Sequence, residues 1–210
     1  MRSVRRSILM TAVLAALAAA APAAASPALK LDYPCYRSGQ SGTATVTDFD
    51  PNTDVNVLLD NNALGTSQTD DQGDFTVDFN APRLPRGVTR DRSRLTAQDQ
   101  NGIVAEDLFS VVPLSLKATP RSAPWRSRVR FSLGGFIERT SLYEHVVRNG
   151  RLVQNILFGT PRAPCGTLTR TVRQLPLRKP KVGAYSLQFD LEASWSRKTS
   201  PAVRWTVRVP

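Results

Sequence analysis

Asp54-Val55-Asn56-Val57-Leu58-Leu59 and Asp74-Phe75-Thr76-Val77-Asp78-Phe79 decide how this chain folds. Apolar side chains recur at every second position: Val55, Val57 and Leu59 in the first segment, Phe75, Val77 and Phe79 in the second. Successive side chains of an extended strand point to opposite faces, so each segment reads as a strand with one greasy and one acidic face. Asp60-Asn61-Asn62 follows the first segment and Asp71-Gln72-Gly73 precedes the second. Such residues turn the chain because they accept positive φ or bond to their own backbone. Working outward, the same reasoning predicts strands over 28–32, 43–48, 94–99 and 104–112, with a turn at Gln100-Asn101-Gly102.

The rhythm continues in the second half. Val129, Phe131 and Leu133 alternate with Arg128, Arg130 and Ser132, and Val203, Trp205, Val207 and Val209 alternate with Arg204, Thr206 and Arg208. Tyr185, Leu187, Phe189 and Leu191 form another run. Asn149-Gly150, between apolar stretches at 143–148 and 152–158, is a hairpin signal, because a two-residue type I′ turn needs positive φ at both central positions. Beyond the first 25 residues no stretch carries a capped helical stripe. Roughly seven short strands per half with regular turns describe two β-sandwiches, an all-β fold.

The halves echo one another. Phe49-x-x-x-Thr53, Asn61-Asn62, Leu64, Gly73-x-Phe75-Thr76 and Pro82 return as Phe136-x-x-x-Thr140, Asn149-Gly150, Leu152, Gly166-x-Leu168-Thr169 and Pro176. Pro113 lies between two strand-like runs and marks the junction. Phe49-Asp50-Pro51, Val55-Asn56-Val57, Asp60, Leu64-Gly65-Thr66, Asp70, Gly73-Asp74-Phe75 and Ala81-Pro82 resemble the bacterial immunoglobulin-like repeats common in secreted and surface proteins of actinobacteria. That resemblance implies two tandem immunoglobulin-like β-sandwich domains, over 26–113 and 114–210, serving as spacer, adhesion or binding modules, with no catalytic residue. It departs from antibody domains, since neither half holds a Cys…Trp…Cys pattern.

Residues 1–25 read as a cleaved signal peptide: Arg2, Arg5 and Arg6, an apolar run from Ile8 to Ala21, then small residues before Ser26. The run is shorter than the roughly 20 residues that span a bilayer. The expected product is exported, with no membrane span after cleavage. Arg5-Arg6-Ser7-Ile8-Leu9 also resembles a twin-arginine export motif. The roughly 185 residues that follow suffice for one large domain or two small ones. Charge separates them: 7 Lys+Arg against 13 Asp+Glu over 27–113, a net of −6, and 18 against 4 over 114–210, a net of +14.

Cys35 and Cys165 are the only thiols, one in each half. In an oxidising compartment pairing is the default, and a bond here would staple the acidic half to the basic one; two free thiols or cross-links to another chain are the alternatives.

Catalytic apparatus is not legible. His145 is the lone imidazole, without a nucleophile elbow, and one histidine cannot supply the usual zinc first shell. Asp70, Asp71 and Asp74 surround Gly73 but miss the EF-hand spacing, and Gly134-Gly135 lacks a P-loop lysine. No cofactor, metal or catalytic residue is therefore expected, the rival class being an extracellular hydrolase using His145 or a carboxylate pair.

The functional signal is the basic half. Arg126, Arg128 and Arg130 share one face of a strand, Arg204 and Arg208 that of another, and Arg178, Lys179 and Lys181 form a basic turn. If the two strands lie in one sheet, their guanidiniums form a single plaque suited to phosphates and carboxylates. Three explanations stand side by side: binding of a polyanion or anionic surface, such as teichoic acids or lipid headgroups, with an anionic cell-wall polymer or another protein as the expected partner; docking against the acidic half within or between molecules; and arginine-rich solubility. Export removes nucleic acid from the available partners. Among Trp125, Trp195 and Trp205, Trp195 is the aromatic candidate for a carbohydrate contact.

Overall fold

The computed structural model describes residues 26–138 and 140–210, so the expected signal peptide at 1–25 lies outside the described residues. The first sandwich comprises β1 (Ala28–Leu31), β2 (Cys35–Arg37), β3 (Ser41–Thr47), β4 (Asp54–Leu59), β5 (Asn62–Gln68), β6 (Phe75–Asn80), β7 (Asp91–Asp99) and β8 (Val104–Val112). They form two sheets, ordered β1-β3-β6 and β2-β8-β7-β4-β5, antiparallel except where β2 runs parallel to β8. The second comprises β9 (Ser115–Thr119), β10 (Arg128–Gly134), β11 (Leu142–Arg148), β12 (Arg151–Gly159), β13 (Leu168–Arg173), β14 (Gly183–Asp190) and β15 (Ala202–Val209). Its sheets are β13-β10-β9 and β12-β11-β14-β15.

The alternation that marks the strands also builds the cores. Val55, Val57 and Leu59 turn inward in β4, as do Val129, Phe131 and Leu133 in β10. Each core centres on three rings meeting mostly edge to face. Tyr36, Phe79 and Phe109 lie with centroids 5.1–5.5 Å apart in one. Phe131, Phe158 and Phe189 lie 5.0–6.4 Å apart in the other. Burying each such side chain contributes about 1.5–3 kcal/mol. The Tyr36 hydroxyl donates to Asp32, and burial together with that neighbouring carboxylate raises its pKa.

The sequence echo is structural. Asp60 and Asn61 have φ of 49° and 67°, and Asn149 and Gly150 have 49° and 71°. The first hairpin therefore turns at Asp60-Asn61, one residue before the matched Asn61-Asn62. Three residues ahead of each turn the ladder slips, after Val57 and after Val146, leaving Leu64 and Val153 unpaired as bulges. Phe49 N–H donates to the Gly73 carbonyl and Phe136 N–H to that of Gly166, both at 3.2 Å. At both glycines φ is positive, and a Cβ would fall 1.9 Å from the phenylalanine carbonyl oxygen. No side chain fits there.

Pro113 and Leu114 link β8 to β9. A disulfide joins Cys35 to Cys165, with Cα atoms 5.3 Å apart, and it packs among Val112 and Ile137. Beside it Arg37 Nη1 donates to Glu138 Oε2 at 2.8 Å and to the Gly135 carbonyl at 3.3 Å. Burial alone would raise the Glu138 pKa; the bond and charge of Arg37 outweigh it and hold the carboxyl below its ordinary value. The cation comes from the acidic sandwich and the carboxylate from the basic one, so bulk charge asymmetry is not what joins the halves at this contact.

Candidate functional site

The predicted plaque divides in two. β10 belongs to the sheet β13-β10-β9 and β15 to β12-β11-β14-β15, so Arg128 and Arg130 sit on a different sheet from Arg204 and Arg208. Alternation reveals which residues face outward but not which strands pair, and the shared face expected from it is corrected here. Arg126 also leaves the set: β10 begins at Arg128, and Arg126 lies in the preceding loop with its guanidinium 4.6 Å from the Trp125 ring centroid.

On β13-β10-β9 the register gathers cations that sequence reasoning did not connect. Arg128 faces Arg173, Arg130 lies between Thr171 and Thr119, and Ser132 lies between Thr169 and Lys117. Paired residues share a face, so Lys117, Arg128, Arg130 and Arg173 stand exposed among hydroxyls on one surface. None of the three strands carries an acidic residue. Arg128 Nη2 donates to the Thr171 carbonyl at 2.9 Å, which fixes its direction. Arg178, Lys179 and Lys181 are exposed in the loop between β13 and β14, held where Tyr185 Oη donates to the Lys181 carbonyl at 3.0 Å.

The opposite sheet carries a buried polar chain. His145, Asp190 and Gln188 are 0%, 0% and 1% exposed. His145 Nε2 lies 3.1 Å from both Asp190 Oδ1 and the Glu192 carbonyl; both accept, so Nε2 carries the hydrogen. Asp190 Oδ2 accepts from Gln188 Nε2 at 2.7 Å, the same amide donates to the Ser196 carbonyl at 2.8 Å, and Gln188 Oε1 accepts from Arg204 Nε at 2.9 Å. The loop between β14 and β15 is thereby pinned across the sheet, helped by Asn155 Nδ2 donating to the Ala193 carbonyl. His145 thus anchors a loop, with a carboxylate and a carbonyl as its partners.

Glu144, next in sequence, points the other way. It is buried in the core, its Oε1 has no partner, and burial pushes its pKa up to about 8, only partly opposed by Arg170. Asp70 turns its carboxylate onto its own loop, accepting the N–H groups of Gln72 and Asp74 at 2.9 Å each. Among the described residues, no three His, Cys, Asp or Glu side chains converge as a metal site would require.

No protein-family model matches the chain, and a search of curated proteins returns no match. Among solved structures it is similar to fibronectin(III)-like modules of Clostridium thermocellum CbhA, at 9% identity, TM-score 0.28, covering 77% of this chain and 83% of that one. It is similar to the human OSCAR ligand-binding domain at 13% identity and TM-score 0.37, over 88% and 98% of the two chains. A tetra-tandem repeat in the extending region of a large adhesion protein gives 14% and 0.32, over 88% and 49%. By its own strand order and register, this chain is a tandem of two immunoglobulin-like β-sandwiches.

Proposed function

We propose that this is a non-catalytic, exported interaction module of the cell envelope whose second sandwich grips anionic polymers. One observation carries the reading: Lys117, Arg128, Arg130 and Arg173 share an exposed face whose three strands hold no acidic residue, and among the described residues none of the four is ion-paired. Guanidiniums bind phosphate and carboxylate oxygens in pairs, and a row of them gathers successive charges of a polymer. The basic turn at Arg178, Lys179 and Lys181 follows β13, the strand carrying Arg173, and extends the field.

Retention on purified cell-wall polymer, titrated with salt, tests this. The wild-type chain is expected to elute at a defined ionic strength, and replacing Arg128, Arg130 and Arg173 with alanine should lower it markedly. Identical elution of the variant, with near-ultraviolet circular dichroism showing an intact fold, removes the reading.

A further inference from the structure

The buried chain described above ends in an open pocket of about 380 Å³, walled by Gly150, Ser186, Gln188, Trp195, Arg197 and Arg204. That volume falls within the range of small-ligand sites. Two arginines line it and no acidic residue does. Neither has a carboxylate within 4.0 Å among the described residues. Two like charges facing one small space repel unless an anion lies between them.

Both guanidiniums are positioned. Arg204 gives Nε to Gln188 and one Nη2 hydrogen to the Arg197 carbonyl, at 2.9 Å each. Of its five N–H groups three remain unspent. Behind it Gln188 is fixed by Asp190 and Ser196, and Asp190 by His145. Burying such a chain costs desolvation, and what it delivers is one arginine of fixed orientation. Arg197 is seated on the β11–β12 turn: a Cβ at Gly150 would lie 1.6 Å from its Nη2, so the guanidinium fills the space that a side chain there would need. Trp195, on the pinned loop, adds an apolar aromatic wall.

We infer that this pocket binds an oxyanion carried on a sugar ring, the carboxylate of a uronic acid or the phosphate of a sugar phosphate. The guanidiniums take the oxyanion and the indole takes the apolar face of the ring. The inference rests on the proposal that the second sandwich engages anionic polymers, and it names the unit that is read. Its site lies on the sheet opposite Arg128 and Arg130, so the two fail separately.

Calorimetric titration of the full chain in phosphate-free buffer with glucuronate, glucose 6-phosphate and glucose tests it. Either acidic sugar should bind and glucose should not, and whichever binds tells carboxylate from phosphate. Arg204→Ala should weaken that binding at least about tenfold, Arg204→Lys should weaken it less, and the Arg128, Arg130, Arg173 triple-alanine variant should bind as the wild type does. Absence of binding by both acidic sugars, equal binding of glucose, or undiminished binding by a folded Arg204→Ala chain overturns the pocket. If polymer retention persists in those cases, the polymer reading survives alone. No retention of the wild-type chain on the polymer, or unchanged retention of the triple-alanine variant, while acidic sugars still bind, sinks the polymer reading and leaves the pocket.

Discussion

The outer faces of β1-β3-β6 and β9-β10-β13 are one surface built twice with opposite charge. Thr43 stands beside Asp32 and Asp78 in the first; Arg130 stands beside Thr119 and Thr171 at the same register in the second. Ser41 opposite Asn80 becomes Arg128 opposite Arg173, while Lys30 beside Thr45 becomes Lys117 beside Ser132. The first face is closed on itself: Thr43 Oγ1 donates to Asp78 at 2.7 Å and Ser41 Oγ to Asn80 at 2.9 Å. In the second, the arginines meet hydroxyls and backbone instead of carboxylates. Pleat and register require only that these positions be polar, so charge is free to diverge between repeats. One copy satisfies its own polar groups and the other leaves its cations exposed.

Four perturbations test how far the likeness runs, beginning with the most damaging. Replacing Cys35 and Cys165 with serine removes the bond between the repeats. Its closed loop, with a sequence separation of 130, gives a chain-entropy loss of about 5 kcal/mol. Denaturant melts should then resolve two transitions where the bonded chain shows tighter coupling.

Glu144 comes next. It occupies the inward position that Val55 fills in the first sandwich, two residues before the ladder slips in each copy. Its folded pKa, about 8, exceeds the ordinary 4.5, so the folded state holds a proton that the unfolded state has released. The stability this supplies is complete below about pH 4.5 and lost as pH rises through about 8, on the order of 5 kcal/mol in all. Glu144→Val should flatten that dependence and leave the chain more stable at pH 8; denaturant melts at pH 5 and pH 8 read both. A wild-type chain equally stable at the two pH values contradicts the burial argument.

Gly73→Ala and Gly166→Ala probe the shared glycine contact. Each places a methyl group against a backbone oxygen at positive φ, and each should cost about 2–3 kcal/mol. Losses differing by more than about 1 kcal/mol would show that the contact bears unequal load in the two copies. The smallest effect is expected at Arg94, whose exposed pair with Glu106 spans 3.3 Å. Arg94→Ala should change stability by less than about 0.5 kcal/mol, within the range of an exposed ion pair.

Legibility followed burial. β4, β10, β14 and β15 announce themselves because one face of each is buried and alternation records it. β5 does not: at the sheet edge, Asn62–Gln68 buries almost nothing, and its sequence carries no period. β13 and the three-residue β2 are obscure for similar reasons. At the site, the outward arginines of β10 and β15 were readable, but sheet membership was not, because period two fixes a side chain's face without choosing its neighbour. Trp195 drew notice as an aromatic; the residues that organise its surroundings did not. His145, Gln188 and Asp190 come from two strands, and the loop they hold adds a third segment. The available signal was the polar series Ser186, Gln188, Asp190 on a strand whose other face is wholly apolar.

The disulfide also changes where tension would travel. Pulling on residues before Cys35 and after Cys165 sends the load through sulfur rather than through the intervening backbone, so β3 to β12 lie outside the strained path and only β1 and β13–β15 can be peeled. Breaking that shortcut would release roughly 450 Å of hidden contour.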